Sequence, residues 1–364
     1  MQINDKFLRV TESDRESILE ALSNLKLSGT SKTVGNYEKA LANFFSAKYA
    51  IAISSGTAAI HACLVALGIS DDDEILLPAT APIMTGFPII FQRAKPVFVD
   101  TNGKNFGFDI QDLKRKVTSK TKAIICVPMW GYPFDYKDLL QFSKNYGVSL
   151  IEDAAEAHNT EYNGKKIGSL GDFGCFSTHD RKLLATGEGG FILTNNPKYY
   201  KKIKSFINYS GMDGKAIGTN YKLSTLQAAI GLSRIKQMDW QVKMRRQNAM
   251  KILSGINSNK VSELPFPVSS KLNYQSLLLN FNLPSKKTAR IISKLFKMGI
   301  PSDVVKYDYK PMYHYPIFRK WAIGCPNTEK LVKSFTTIPV HPGIDDKAIE
   351  YIIKSINLIV KDYD

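Results

Sequence analysis

YAIAISSGTAAIHACLVAL, residues Tyr49 to Leu67, is the stretch on which the reading of the fold turns. Its first five residues are apolar without the alternation of a strand that faces water on one side, so they read as a strand buried on both faces. Four small residues follow, Ser54-Ser55-Gly56-Thr57, and then a helical pattern runs over Thr57–Leu67. A buried strand that turns into a helix this quickly is one strand–helix unit of an α/β fold. Outward from it the same order recurs. Strand-like runs stand at Glu74–Pro78, Pro96–Val99, Ala123–Val127 and Ser149–Asp153, with helical segments such as Ile110–Lys116 and Tyr136–Tyr146 between them. This alternation predicts an α/β chain built on a large, mostly parallel sheet with helices on both faces. Ligands of such sheets lie at the carboxyl ends of the strands, so chemistry is expected just after the apolar runs.

Further along, a long helical pattern from about Leu223 to Leu253 carries the chain out of this unit. The remainder, with a strand-like run Tyr274–Phe281 and a closing amphipathic helix Lys347–Val360, reads as a smaller C-terminal α+β domain. With 364 residues, and about 100–200 per domain, the expectation is a large domain over 1–240 and a small one over 241–364.

Composition narrows the function classes. The chain is 44% hydrophobic and 23% charged, an ordinary globular balance. No apolar run approaches the roughly 18 residues of a membrane span, and MQINDKFLRV lacks the layout of a signal peptide. Cys63, Cys126, Cys175 and Cys325 are scattered, without a CxxC pair or a metal-ligand spacing. They read as buried thiols of a cytoplasmic protein, and no metal site is expected. The net charge of +16 is spread along the chain with no block of five or six like charges. That argues against nucleic acid or a membrane as partner and suits phosphorylated small molecules.

Three constellations sit where the fold predicts chemistry. Ser54-Ser55-Gly56-Thr57 opens a helix after the first strand, where small residues let backbone N–H groups approach an anion and the helix dipole favours it. An ordinary N-cap would use the same residue types. Glu152-Asp153-Ala154-Ala155-Glu156 ends the fifth strand, where a carboxylate is costly to bury without a cationic or metal partner. Glu152 is expected to face the other way, because side chains alternate along a strand. Ser177-Thr178-His179-Asp180-Arg181-Lys182 runs into Thr186-Gly187-Glu188-Gly189-Gly190. The glycines allow tight backbone, the serine can hold a phosphate, and a lysine whose pKa is lowered forms Schiff bases readily. A lysine on a loop is otherwise simply solvated.

Together, SSGTAAI, EDAAEAHN and STHDRKLLATGEGG resemble the DegT/StrS sugar aminotransferases, members of the fold-type-I pyridoxal-phosphate (PLP) superfamily. The resemblance continues through AKPVFVD, GSLGDFGCFS, NYKLSTLQAAIG, CPNTEKL and IPVHPGIDD, and so covers nearly the whole chain. It implies PLP as cofactor, with Lys182 as the Schiff-base lysine and Asp153 as partner of the pyridinium nitrogen. Glu156 would lie near the cofactor's phenolic oxygen, and Gly56, Thr57 and Ser177 would cradle its phosphate. Asn220 matches an asparagine that reaches the phosphate held by the neighbouring subunit, which implies a homodimer with shared sites. The implied reaction moves an amino group from a small-molecule donor, usually glutamate, to a keto-sugar, usually nucleotide-linked.

The chain departs from the family pattern where the pocket is expected. Pro82 stands where the family commonly has an aromatic residue stacked on the cofactor ring, Pro128 where it has histidine, and Lys222 where it has arginine. The substrate loop around Lys306–Tyr315 matches only loosely. These changes predict a divergent member with a non-standard acceptor. Two other readings use the same fold: a sugar dehydratase, which carries histidine in place of the lysine, and a PLP-binding regulator without turnover. The presence of Lys182 and Asp153 argues against both.

Overall fold

A computed structural model describes residues 1–363. Its centre is a seven-stranded sheet in the order β1-β9-β8-β5-β4-β2-β3. These strands are β1 (Tyr49–Ile53), β2 (Glu74–Pro78), β3 (Lys95–Val99), β4 (Thr121–Cys126), β5 (Ser149–Asp153), β8 (Phe173–Ser177) and β9 (Gly190–Thr194). All run parallel except β9, which pairs antiparallel with both β1 and β8. The five strands of this sheet predicted from apolar runs are all present, within two residues at each end. β8 and β9 were not among them. Glycines at Gly174 and Gly190 break their apolar pattern, and each is required: a Cβ on Gly174 would stand 2.0 Å from the carbonyl oxygen of Gly168.

Sequence explains the local starts and stops. Ser55 caps the helix Gly56–Leu67 by accepting from the Ala58 N–H at 3.0 Å, and Gly68 ends it in the left-handed conformation. Phe45, Phe176 and Phe191 pack together under β8 and β9, the last two stacked at 4.3 Å between centroids. Each fully buried ring of this kind contributes about 1.5–3 kcal/mol.

The C-terminal part holds the antiparallel sheet β10-β12-β13, formed by Val261–Glu263, Leu277–Phe281 and Phe335–Ile338. Helices Ser285–Lys297 and Asp346–Val360 pack against each other, and the latter also packs on Met238–Gly255. A third small sheet, β11-β6-β7, joins Ser270–Lys271 to the hairpin Glu161–Tyr162 and Lys165–Lys166.

Two sequence expectations are corrected. The helical pattern Leu223–Leu253 is two helices, Thr225–Ile235 and Met238–Gly255. The first closes with a tightened turn from Gln237 N–H to the Arg234 carbonyl, and Asp239 lies in the first turn of the second, where an acid is favoured. The strand read as Tyr274–Phe281 begins only at Leu277, because Tyr274 has a φ of 51° and cannot lie in a ladder.

At the end of β5, Glu152 and Asp153 do face opposite sides. Glu152 is fully buried and accepts backbone N–H groups from Gly168, Leu170 and Gly171 at 2.7–2.9 Å. It therefore organises the turn that leads into β8. Glu152→Ala would leave three N–H groups without acceptors, at about 1–3 kcal/mol each. We expect it to lower the unfolding free energy by at least about 3 kcal/mol, measured by urea denaturation.

Candidate active site

The floor of the site is the carboxyl end of β5. Asp153 is 7% exposed; its Oδ2 accepts the Thr85 hydroxyl at 2.5 Å and its Oδ1 accepts the Ala155 N–H at 3.3 Å. Burial raises its pKa above the ordinary carboxylate value, although both hydrogen bonds and the charge of Lys182 pull the other way. A carboxylate in this position gains most from a cationic partner. Thr85 lies on helix Ile83–Phe91, whose N-cap is Pro82. The proline thus starts the helix that carries Thr85 to Asp153, a different task from that of the aromatic residue it replaces.

Lys182 rises opposite. Its loop is held by the Lys182 N–H on the carbonyl of His179 and the Asp180 N–H on that of Gly187. The glycines after it are close-packed. Gly187 has a φ of 89°, Gly189 lies so near Thr178 that a Cβ would stand 2.6 Å from its hydroxyl, and a Cβ on Gly190 would meet the backbone of Ser55 at 2.7 Å. The TGEGG turn therefore presses the lysine loop against the start of helix Gly56–Leu67. The lysine Nζ donates to Glu156 Oε1 at 2.8 Å, and Glu156 Oε2 accepts the Trp130 N–H at 2.8 Å. Burial pushes the Glu156 carboxyl up, but the Lys182 charge and these hydrogen bonds outweigh it and hold it below its ordinary value of 4.5.

The third side is a cradle of small residues. A Cβ on Gly56 would stand 3.0 Å from that of Ser177, so the helix start and the end of β8 touch through a glycine. A helix start leaves N–H groups without a partner inside the helix, and Ser177 Oγ, which accepts the His179 N–H at 3.3 Å, can still donate to an anion. Asn220 lies in a loop tied to the same region: the next residue, Tyr221, accepts the Ser54 N–H at 2.8 Å, while Asn220 is exposed. Lys222, where the family has arginine, bridges to Ile53 and lies over the Tyr209 ring at 4.7 Å.

The wall was not legible in the sequence. Trp130 adopts a φ of 52°, and its indole donates to Asp303 at 3.2 Å while packing edge-on against Tyr309 at 5.0 Å. Tyr309 donates its hydroxyl to the carbonyl of Thr80 at 2.6 Å, and the Met312 N–H reaches that of Ala79 at 2.8 Å. A C-terminal segment is thereby stitched over the end of β2, beside the position that lost its aromatic ring. Arg181 was a candidate for a substrate carboxylate; its two Nη atoms instead bind Asp5 at 2.9 Å and Asp303 at 2.8 Å. His158, from the EDAAEAHN motif, is fully buried against Phe176 and Phe191, and burial lowers its pKa to about 3, so it stays neutral.

A lysine amine paired with a carboxylate, a buried second carboxylate seeking a cation and a glycine-lined helix start for a phosphate are the donor set that PLP requires. With a mostly parallel seven-stranded sheet beneath them, they define a fold-type-I PLP-dependent transferase. Residues 9–357 match the DegT/DnrJ/EryC1/StrS aminotransferase family, and the chain belongs to it. It is a PLP-dependent aminotransferase. The chain is 28% identical over 358 residues to the GDP-perosamine synthase of Escherichia coli O157:H7, covering 97% of each. It is also 28% identical over 328 residues to the UDP-2-acetamido-2-deoxy-3-oxo-D-glucuronate aminotransferase of Pseudomonas aeruginosa, covering 89% of each. The fold matches that of the aminotransferase TlmJ from Streptoalloteichus hindustanus with a TM-score of 0.91, at 20% identity over the full length of both chains.

The Lys182–Glu156 contact has a pH signature. A carboxylate whose folded pKa is depressed contributes stability above its unfolded value, and that contribution is lost as the pH falls through the folded value. Cofactor-free protein should therefore lose stability below pH 4.5 partly through Glu156. In Glu156→Gln this part of the acid destabilisation should be missing, so the gap in melting temperature between variant and parent should narrow as the pH falls below 4.5.

Proposed function

We propose that the enzyme transfers the amino group of an amino acid, glutamate by family habit, to a nucleotide-linked keto-sugar. The observation that carries the reading is Lys182, held at 2.8 Å by Glu156 beside the buried Asp153, in a chain whose relatives act on GDP- and UDP-linked sugars. The lysine speaks against a dehydratase, and the intact Asp153 speaks against a regulator without turnover. The basic balance of the chain suits a diphosphate, and no arginine is left free in the site to clamp the second carboxylate of a small keto acid. Such an enzyme would supply amino sugars for cell-surface polysaccharides or secondary metabolites. No helix of the described residues is long and apolar enough to cross a membrane, and we place the reaction in the cytoplasm.

Each residue then has a task. Bound PLP supplies an electron sink for the carbanion formed at the donor's Cα. Asp153 holds a proton on the ring nitrogen, and Thr85 and the Ala155 N–H fix its carboxylate for that contact. Lys182 would hold the cofactor through its amine, and the same amine, when free, would move a proton at the donor's Cα. Glu156 orients the amine through its 2.8 Å hydrogen bond and would lie near the cofactor's phenolic oxygen. Gly56, Thr57 and Ser177 hold the phosphate, with Asn220 contributed to the partner's site in a homodimer. Trp130 and Tyr309 form the wall against which the sugar is placed, at the junction of the units 1–240 and 241–364.

Borohydride treatment of the holoenzyme followed by peptide mapping should put the cofactor label on Lys182; a label on Lys165 or Lys222 would overturn the assignment. Asp153→Asn should fold and lose most turnover, whereas a purely structural Asp153 would cost melting temperature and spare turnover. For the acceptor, aminated enzyme should turn over with UDP-, GDP- or dTDP-linked keto-sugars at least about tenfold faster than with pyruvate or oxaloacetate, about 1.4 kcal/mol in transition-state stabilisation. The reverse order would remove the sugar assignment.

A further inference from the structure

Behind the lysine loop lies a second cavity, of about 30 Å³, between the N-terminal arm and helix Met238–Gly255. Asp5, Arg181, Arg245, Gln275, Asp303 and His341 contribute to its lining. Arg245 is the unusual member. It is 5% exposed, and only its Nη1 is bonded, to the carbonyls of Tyr274 at 3.3 Å and Gln275 at 3.1 Å. Its Nε is buried without a partner, and its Nη2, which makes no hydrogen bond among the described residues, still reaches solvent. Nε and Nη2 form the side of a guanidinium that receives an oxyanion in a fork or a halide between two N–H groups. That whole side is free.

No carboxylate is available for it. Asp303 is taken by Arg181 and the Trp130 indole, and Asp5 by Arg181 and Lys306. Arg181 binds both carboxylates, and Lys6 on the rim is exposed to water, so the buried charge left without a carboxylate is that of Arg245. Burial lowers its pKa only to about 10, so it remains charged at neutral pH. A buried charge without a counter-charge is among the costlier features a fold can hold. His341 does not compete for an anion: its Nε2 faces the carbonyl of Asn4 and its Nδ1 the Gly343 N–H, and burial lowers its pKa to about 4. Gln275 donates its Nε2 to the carbonyl of Arg181, while its Oε1 is buried without a partner, which asks for a water.

We propose that this cavity is a binding site for one small monovalent anion, a halide or a formate-sized carboxylate, seated on the free edge of Arg245. Size decides the class. One water needs about 10–15 Å³ of such space, so the cavity has room for one small ion and one water. The water can bridge the ion to Gln275 Oε1. An amino acid, a nucleotide or a sugar cannot enter, so the site is separate from the substrate site. Its walls come from the N-terminal arm, the loop preceding Lys182, helix Met238–Gly255 and the C-terminal segments at 301–303 and 337–341. An ion there fastens the arm to both parts of the chain and stabilises the native state by mass action.

The test is thermal melting of the holoenzyme at constant ionic strength, with chloride or formate replacing a bulky organic anion. A saturable rise of a few degrees is expected with one or both small anions. Chloride-35 line broadening that free formate reverses assigns both anions to one site; broadening that formate leaves unchanged assigns it to halide alone. Arg245→Lys keeps the charge but loses the fork, and should weaken the apparent affinity about tenfold or more. Because Arg245 also holds two carbonyls, a second variant, Ser276→Asp, places a carboxylate on the cavity wall and should abolish the saturable response with Arg245 intact. A response that is linear in anion concentration, or equal in the parent and Ser276→Asp, would overturn the site.

Discussion

Two neighbouring carboxylates at the end of the central strand, buried on opposite faces of the sheet, set the terms for everything around them. Neither can be left unsolvated at acceptable cost, so each dictates the structure on its own side. Glu152 finds three backbone N–H groups and thereby fixes the turn into β8, which delivers Ser177 and the lysine loop. Asp153 finds a threonine hydroxyl, one backbone N–H and the nearby charge of Lys182, and burial still keeps its pKa high. It is a carboxylate prepared for a cation that the polypeptide does not supply. The structural half of the pair builds the frame in which the chemical half works.

Charge elsewhere in the site is arranged in a chain. Lys182 pairs with Glu156, which takes the Trp130 N–H; the Trp130 indole takes Asp303, which holds Arg181, which holds Asp5. From the reactive amine to the N-terminal arm the order is cation, anion, neutral indole, anion, cation, anion. Arg181 adjoins the lysine in sequence but belongs to the frame, because both ends of its guanidinium are committed to carboxylates from distant segments.

The sheet and most strand limits were legible because they follow from local patterns of buried apolar runs, whereas Lys182, Asp153, Glu156, Gly56, Thr57 and Ser177 were picked out by small or charged residues just after those runs together with the family resemblance. What escaped reading depends on contacts remote in sequence. Thr85 meets Asp153 across 68 positions, Trp130 meets Asp303 across 173, and Tyr309 meets Thr80 across 229. The break at 236–237 also escaped, since no proline or glycine marks it and both flanking stretches keep helical spacing. A free arginine edge leaves no mark in sequence at all; Arg245 and Arg246 look alike there, and only the fold buries one of them.

The segment that crosses over the end of β2 has a bearing on how such enzymes diversify. Tyr309 and Met312 attach to main-chain carbonyls of Thr80 and Ala79, and main-chain acceptors persist whatever side chains those positions carry. The floor proposed for the cofactor and the wall proposed for the acceptor are therefore joined by bonds indifferent to sequence on one side. Side chains along 307–318 other than Tyr309 can be exchanged while both bonds persist and the end of β5 stays untouched. A designer seeking a new amino sugar would do well to graft that segment whole and leave β5 alone.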